Sequence, residues 1–399
     1  MKKIVYLQYL PLTIKIEKDL LIPDLISAGF KVEYLDISMI YFPDIVLADT
    51  ISRSYIKKIS SLNQLKEWLI NEDIKELIIF PQITYEYKVV KLFRILTKFK
   101  CPLYFFARSM VLTNTQSKNL LNNLKNIAYK KNIFTINYYK IKIGNLMAYI
   151  YKKLKLVKDY DVIFNSGSYG FRGVGIGSNL INKQKTKMIQ VNSVDYDSYL
   201  DIKNNNNRII MSKYCVFLDE YLPFHPDSKM FNLQNINVEE YYNSINKFFQ
   251  YLENEIGIEV VIAAHPKSEY EDKIFNGRKI YKYKTSELVK NSEFVIAHMS
   301  SSISFAVLFY KPILFVYTSN MRLWGQFKEM INYAEEFNLN IYEVDKINYL
   351  PKIKLGERQA FQYDEFKYNY LTSYQSENKK TKDIFIEYLL RREREIVNN

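Results

Sequence analysis

The stretch FVIAHMSSSISFAVLFYKPILFVY, residues 294–317, decides the fold class. Phe294–Ala297 is a short apolar run of strand length, Ser302–Phe309 reads as an apolar helix, and Ile313–Tyr317 returns as a β-branched and aromatic strand after Lys311-Pro312. Strand, helix and strand in succession imply parallel strands covered by helices.

The same alternation extends in both directions. Upstream, strands are expected at Tyr214–Leu218, Glu259–Ala263 and Lys279–Tyr281, with helices at Val238–Glu255 and Ser286–Asn291. Downstream, helix Leu323–Phe337 precedes a strand near Ile341–Val344, and a charged helix spans Lys380–Ile396. The first half repeats the pattern, with strands at Ile4–Leu10, Lys31–Leu35, Glu76–Phe80, Pro102–Phe106 and Asp161–Phe164. Helices are expected there at Ile16–Ser27, Asn63–Asn71 and Tyr87–Phe99, and two long basic helices within Ser117–Tyr151. The polar run Lys203-Asn-Asn-Asn-Asn-Arg208 is the natural linker. The expected organisation is therefore α/β, with a first domain at 1–202, a linker at 203–209 and a second domain at 210–399. Each domain is a doubly wound, Rossmann-like sheet, and the two face a central cleft.

The 399 residues carry 56 Lys and Arg against 43 Asp and Glu, a net charge of +13. Between Tyr87 and Lys158 there is no acidic residue, while 16 Lys and Arg fall there. The rest of the chain is near neutral. A basic block inside an aromatic-rich helical segment argues against nucleic acid as partner and for an anionic membrane surface or anionic glycan, met through residues such as Lys152, Lys153 and Lys155. Two cysteines, Cys101 and Cys215, are too few and too far apart for a disulfide scaffold or zinc site and suit a reducing cytoplasm. Met1-Lys2-Lys3 leads into a short apolar run ending at Pro11 without a small-residue cleavage site, so no secretory signal is expected. The expected location is cytoplasmic and peripheral on the inner face of the membrane.

Each of the three histidines follows on or near a strand end. His225 lies in Leu222-Pro-Phe-His-Pro-Asp227, His265 precedes Pro266 and Lys267, and His298 precedes Met299 and the run Ser300-Ser301-Ser302. Ligands of open α/β sheets bind outside the carboxyl ends of the strands. One serine suffices to cap a helix; three after a histidine exceed that need, and hydroxyls with unsatisfied N–H groups suit a phosphate. Thr285 and Ser286 open the preceding helix and reach the same edge. Five of the 11 glycines fall between Gly167 and Gly177. With Ser166, Gly167, Ser168, Tyr169 and Arg172 they form a candidate cleft loop, although the spacing is not that of a dinucleotide fingerprint. The candidate general bases are Asp195 and Asp197, then Asp219 and Glu220, all near strand ends.

The order strand, His265-Pro266, Thr285-Ser286-Glu287-Leu288, strand, His298, Ser300-Ser301-Ser302 and Lys311-Pro312-Ile313 resembles the donor domain of bacterial GT-B glycosyltransferases. The likeness is to sialyltransferase-like enzymes and to capsule and lipopolysaccharide enzymes that use CMP-activated acidic sugars. It implies that the His-Pro and serine motifs bind the cytidine monophosphate of a CMP-sugar, that a glycan or glycolipid is the acceptor, and that neither cofactor nor metal takes part. Those families carry an acidic motif after a strand of the first domain. Here Asn165-Ser166-Gly167 stands in its place, so the base must come from elsewhere, with Asp195 or Asp197 preferred. Two other readings share the layout: a CDP-polyol phosphotransferase of the teichoic-acid type, and a non-catalytic glycan-assembly protein on the same scaffold.

Overall fold

A computed structural model describes residues 2–45, 47, 49–108, 136–224, 236–270, 273–323, 327–345 and 360–397. The strands are β1 (Lys3–Gln8), β2 (Val32–Asp36), β3 (Ile56–Lys58), β4 (Leu77–Pro81), β5 (Tyr104–Ala107), β6 (Val162–Ser166) and β7 (Lys187–Val191), then β8 (Tyr214–Leu218), β9 (Glu259–Ala264), β10 (Ile280–Lys282), β11 (Val295–Ala297), β12 (Ile313–Tyr317) and β13 (Ile341–Glu343). Helices named below are α1 (Leu62–Ile70), α2 (Val90–Lys98), α3 (Ile136–Lys153), α4 (Val194–Ile202), α5 (Val238–Tyr251), α6 (Thr285–Asn291), α7 (Ile303–Leu308), α8 (Phe327–Glu336) and α9 (Thr381–Val397). They fall into two compact units, one running to Arg108 and resuming over 136–194 and 372–397, the other covering 195–371.

In the first unit the strands run parallel in the orders β3-β2-β1-β4 and β5-β6-β7. One bridge, Ile79 to Leu103, joins β4 to β5, where the Ile79 N–H donates to Pro102 O at 3.0 Å. β4, β5 and β6 are buried along their whole length, which is why β4, β5 and the Val162–Phe164 part of β6 read as unbroken apolar runs instead of alternating ones. One face packs Trp68 of α1 and Phe93 of α2; the other stacks Phe80, Phe106 and Phe164 against Phe385 of α9. The Phe385 ring lies 4.6 Å from that of Phe106 and 4.8 Å from that of Phe164, centroid to centroid.

The second unit has a single parallel sheet in the order β10-β9-β8-β11-β12-β13. Its core is built on Phe217, Val260, Ile262, Ile296 and Leu314 of the strands and Tyr241, Ile245, Phe248 and Phe249 of α5. Those four α5 residues recur at helical spacing. Asn237 caps the helix by accepting the Glu240 N–H at 3.1 Å, and Gly257, at φ 69°, ends the turn that continues it. Counted from its first strand, the second unit follows the doubly wound order 3-2-1-4-5-6, and the first unit follows the same order with a seventh strand added when its two sheets are read through the Ile79 to Leu103 bridge.

The units depart from the expected domains at two places. The closing helix packs with the first unit instead of ending the second, because Phe385 and Leu389 complete the aromatic layer over β4 to β6. The chain passes between units at Val194/Asp195, ahead of the Asn-rich run at 203–209. That run begins in the second unit, where the Lys290 ammonium donates to the carbonyls of Ile202 and Lys203 at 2.8 and 2.9 Å. The helix expected over Ile16–Ser27 is two pieces, Ile14–Asp19 and Ile22–Ser27, broken by Leu21 at φ 58° just before Pro23. Of the two basic helices expected within 117–151, the first falls outside the described residues and the second is α3.

Candidate functional site

In the second unit the chain winds outward from β8 through β9 to β10, then returns to the other side of β8 as β11. β8 and β11 are thus neighbours whose connections leave in opposite directions, and a crevice opens at their carboxyl ends. Leu218 pairs with Ala297, so the residues one step further, Asp219 and His298, lie side by side. Ala263 pairs with Leu218 and Ala264 with Lys282, which brings His265, Pro266 and Lys267 after β9 and Thr285 at the start of α6 to the same edge. The sheet thus gathers Asp219, Glu220, His265, Thr285, His298 and the serine run along one rim.

His298 does not face that crevice. It is fully buried; Nδ1 lies 2.6 Å from Val316 O and Nε2 2.9 Å from the Tyr241 hydroxyl. A carbonyl accepts only from an N–H, so the ring carries its hydrogen on Nδ1 and accepts from Tyr241 at Nε2. Burial lowers its pKa to about 4, which keeps it neutral. With both nitrogens engaged, the expected contact between His298 and a donor phosphate gives way to a positioning role, tying β11 to β12 and α5 beneath the turn that follows.

That turn is held from β8. Glu220 Oε1 accepts the Met299 N–H at 2.7 Å. The Ser302 N–H reaches Ser300 Oγ at 3.3 Å, and the N–H groups of Ile303, Ser304 and Phe305 bond the carbonyls of Ser300, Ser301 and Ser302 at 3.1, 3.2 and 3.0 Å. Ser301 is exposed, and Ser300 and Ser302 are half-buried. Because Glu220 is spent on fixing the backbone, its position suits orientation better than proton transfer.

At the second residue of α7, Ser304 donates its hydroxyl to Asp195 Oδ2. Asp195 and the half-buried Asp197 sit in the first turn of α4, which belongs to the second unit and not to the acceptor-side domain expected for them. Ser304 is absent from the expected residues, and its only trace in the sequence is a polar residue inside an otherwise apolar helix.

Asp219 is buried, and its Oδ2 accepts the Tyr270 hydroxyl. Burial pushes its pKa up to about 6, opposed by Tyr270 and by the backbone N–H groups of Tyr221 and Glu220. A carboxyl near 6 is ionised at neutral pH yet basic enough to take a proton. Tyr270, 51 residues away in the chain, carries no signal that sequence reading would find.

His265 Nδ1 accepts the Lys267 N–H at 3.1 Å, and Ser268 Oγ donates to His265 O at 2.7 Å. In the neutral ring the hydrogen therefore sits on Nε2, the donor that a phosphate oxygen requires. Lys267 is exposed beside it. His225 lies outside the described residues.

The glycine-rich loop belongs to the first unit and is packed rather than open. Ser166 Oγ donates to Ala107 O at 3.1 Å, and the Asn165 amide donates to Gly167 O. The Tyr85 N–H donates to Val174 O and the Ile176 N–H to Tyr85 O, both at 2.9 Å. A Cβ on Gly170 or Gly175 would meet Ala107 O or Tyr85 O at 2.5 Å. At these two glycines the backbone of the unit approaches too closely for a side chain. Ser168 is exposed, and the Arg172 guanidinium lies 3.7 Å from the Tyr169 ring centroid.

No protein-family model matches the chain, and no curated protein matches it. Solved structures do. A variant of the wall teichoic acid polymerase TagF superposes with a TM-score of 0.50 at 10% identity, covering 100% of this chain and 90% of that one. The fold is GT-B. Phytolacca americana UGT2, complexed with UDP-2-fluoro-glucose and pterostilbene, gives a TM-score of 0.49 at 10% identity over 98% and 99% of the two chains. The UDP-GlcNAc 2-epimerase of Methanocaldococcus jannaschii gives 0.45 at 12% over 98% and 100%. In GT-B terms the first unit supplies the amino-terminal Rossmann-like domain together with the final helix, and the second unit carries the rim described above.

Proposed function

We propose that this chain is a glycosyltransferase that moves an acidic sugar of the nonulosonic or Kdo type from a CMP-activated donor to a hydroxyl of a surface glycan. The observation that carries the reading is the convergence of His265, Asp219, Glu220 and Ser300–Ser302 at the switch point of one sheet, with Asp195 reaching α7 through Ser304. The donor phosphate would rest on His265 Nε2, Lys267 and the Ser300–Ser302 turn. Fixed donors aimed at the phosphate stabilise the negative charge that grows as CMP leaves. The acceptor oxygen forms its bond to the anomeric carbon while the bond from that carbon to the phosphate oxygen breaks, and the bonding pair leaves with CMP. Asp195 takes the acceptor proton. Asp219, buried and with its pKa raised to about 6, is the next base.

A second reading, CDP-polyol phosphotransfer, draws support from the full-length likeness to a wall teichoic acid polymerase. It uses the same rim but breaks a phosphoanhydride bond. Calorimetric titration with CMP, a CMP-nonulosonate, CDP-glycerol and UDP separates the two. Binding and turnover of the CMP-sugar alone supports the first, CDP-glycerol turnover supports the second, and binding of UDP with neither cytidine nucleotide rejects both.

A further inference from the structure

A helix that covers a sheet ordinarily turns its aliphatic stripe inward. α3 does the reverse. Toward its own unit it presents no aliphatic side chain but small, polar and aromatic ones: Gly144, where a Cβ would meet the Tyr87 ring at 2.8 Å; Asn145, whose Oδ1 accepts the Tyr87 N–H at 3.3 Å; Ala148, whose carbonyl accepts the Tyr85 hydroxyl at 3.0 Å; and Tyr151, packed against the core. Lys152 follows on the same side, 4% exposed, with its ammonium over the rings of Tyr85 and Tyr160 and 3.7 Å from Asp159. The outer side carries Ile143, Leu146 and Met147, exposed by 61, 58 and 46%, and the turn behind the helix adds Leu154 and Leu156 at 63 and 48%. Lys140, Lys153 and Lys155 are exposed around them, within the acid-free block Tyr87–Lys158.

We propose that α3 and the turn at 154–156 seat the protein on an anionic lipid bilayer, the helix lying in the interface plane with its aliphatic residues among the acyl chains and its lysines at the headgroups. Charge complementarity selects this occupant. A second copy would bring the same acid-free block against itself, and a nucleic acid would leave the aliphatic stripe in water. No described helix is long and apolar enough to span a bilayer, so attachment lies along the surface. The inference concerns the first unit alone and is independent of which nucleotide the second unit binds.

Flotation of the full chain with phosphatidylcholine vesicles, with and without phosphatidylglycerol, tests it. Wild type is expected to float with the anionic vesicles and stay behind with the neutral ones. The pair Ile143→Ser with Leu146→Ser, and separately the pair Lys153→Glu with Lys155→Glu, is expected to weaken binding about tenfold or more. All four side chains are exposed, so melting temperatures should hold; should the serine pair melt early, the lysine pair decides. Failure of wild type to float with anionic vesicles, or wild-type flotation of the lysine pair, overturns the proposal. So does light scattering showing a wild-type dimer that the serine pair makes monomeric.

Discussion

The Tyr241 hydroxyl donates to His298 Nε2 at 2.9 Å, inside the core and beneath the rim where a ligand would bind. Removing the donor leaves a buried imidazole nitrogen unsatisfied. Tyr241→Phe should lower the unfolding free energy by about 1–3 kcal/mol in denaturant titrations and leave nucleotide affinity at the wild-type level. A weakened affinity with unchanged stability would return His298 to the ligand.

Asp219 and His298 titrate against each other. His298 falls from 6.5 to about 4 on folding, so the unfolded chain binds its proton first and stability is lost as pH drops from about 6.5 to 4. Asp219 rises from 3.8 to about 6, so the folded chain binds its proton first and stability is gained over nearly the same interval. Each shift corresponds to roughly 3 kcal/mol, and the two nearly cancel. Asp219→Asn should therefore make the protein more sensitive to acid between pH 6.5 and 4 than wild type. An equal pH profile for the two proteins, measured by chemical denaturation, would contradict the assignment.

The Asp195 carboxylate and Ser304 hydroxyl define the expected proton-transfer locus. Asp195→Asn should cut turnover by about 10²–10⁴-fold with donor affinity retained, and Ser304→Ala should have a smaller effect on the same parameter. Full activity in Asp195→Asn would transfer the base to Asp219 or Asp197.

Neighbouring lysines of α3 should behave unlike each other. Lys152 is buried against two tyrosine rings and close to Asp159, and burial lowers its pKa. Lys152→Glu places a like charge beside Asp159 and should destabilise by about 3–5 kcal/mol. The exposed Lys153→Glu should change stability by no more than about 0.5 kcal/mol. Thermal melts of the two variants check the contrast.

Gly175 tests whether the glycine loop is structural. Its φ is 97° and an added Cβ would lie 2.5 Å from Tyr85 O. Gly175→Ala should cost about 1–3 kcal/mol. An unchanged melting temperature would mean that the loop is free to move.

How much of this was legible beforehand follows from the range of the interactions involved. The runs at 214–218, 259–263, 294–297 and 313–317 determined a parallel α/β sheet, because strand length and apolar continuity are local properties that survive in any packing. The same locality placed Asp219, His265 and His298 after strand ends. Ser304, Tyr270 and the roles of Glu220 and Lys152 were not legible, since each depends on a partner brought close by the fold.

By itself, then, the sequence determined the strand–helix order, the acid-free block and the rim on which chemistry-bearing residues collect. Tertiary structure decided that His298 turns inward, through partners 57 and 18 residues away at Tyr241 and Val316. It decided that Thr381–Val397 completes the first unit, because Phe385 fills the aromatic layer over β4 to β6. It also decided that α3 faces its aliphatic residues outward. Periodicity names the two sides of a helix, but the side that meets the protein is set by the surface it packs on, here the Tyr85 and Tyr87 segment, which meets Gly144, Asn145, Ala148 and, further along, Tyr151.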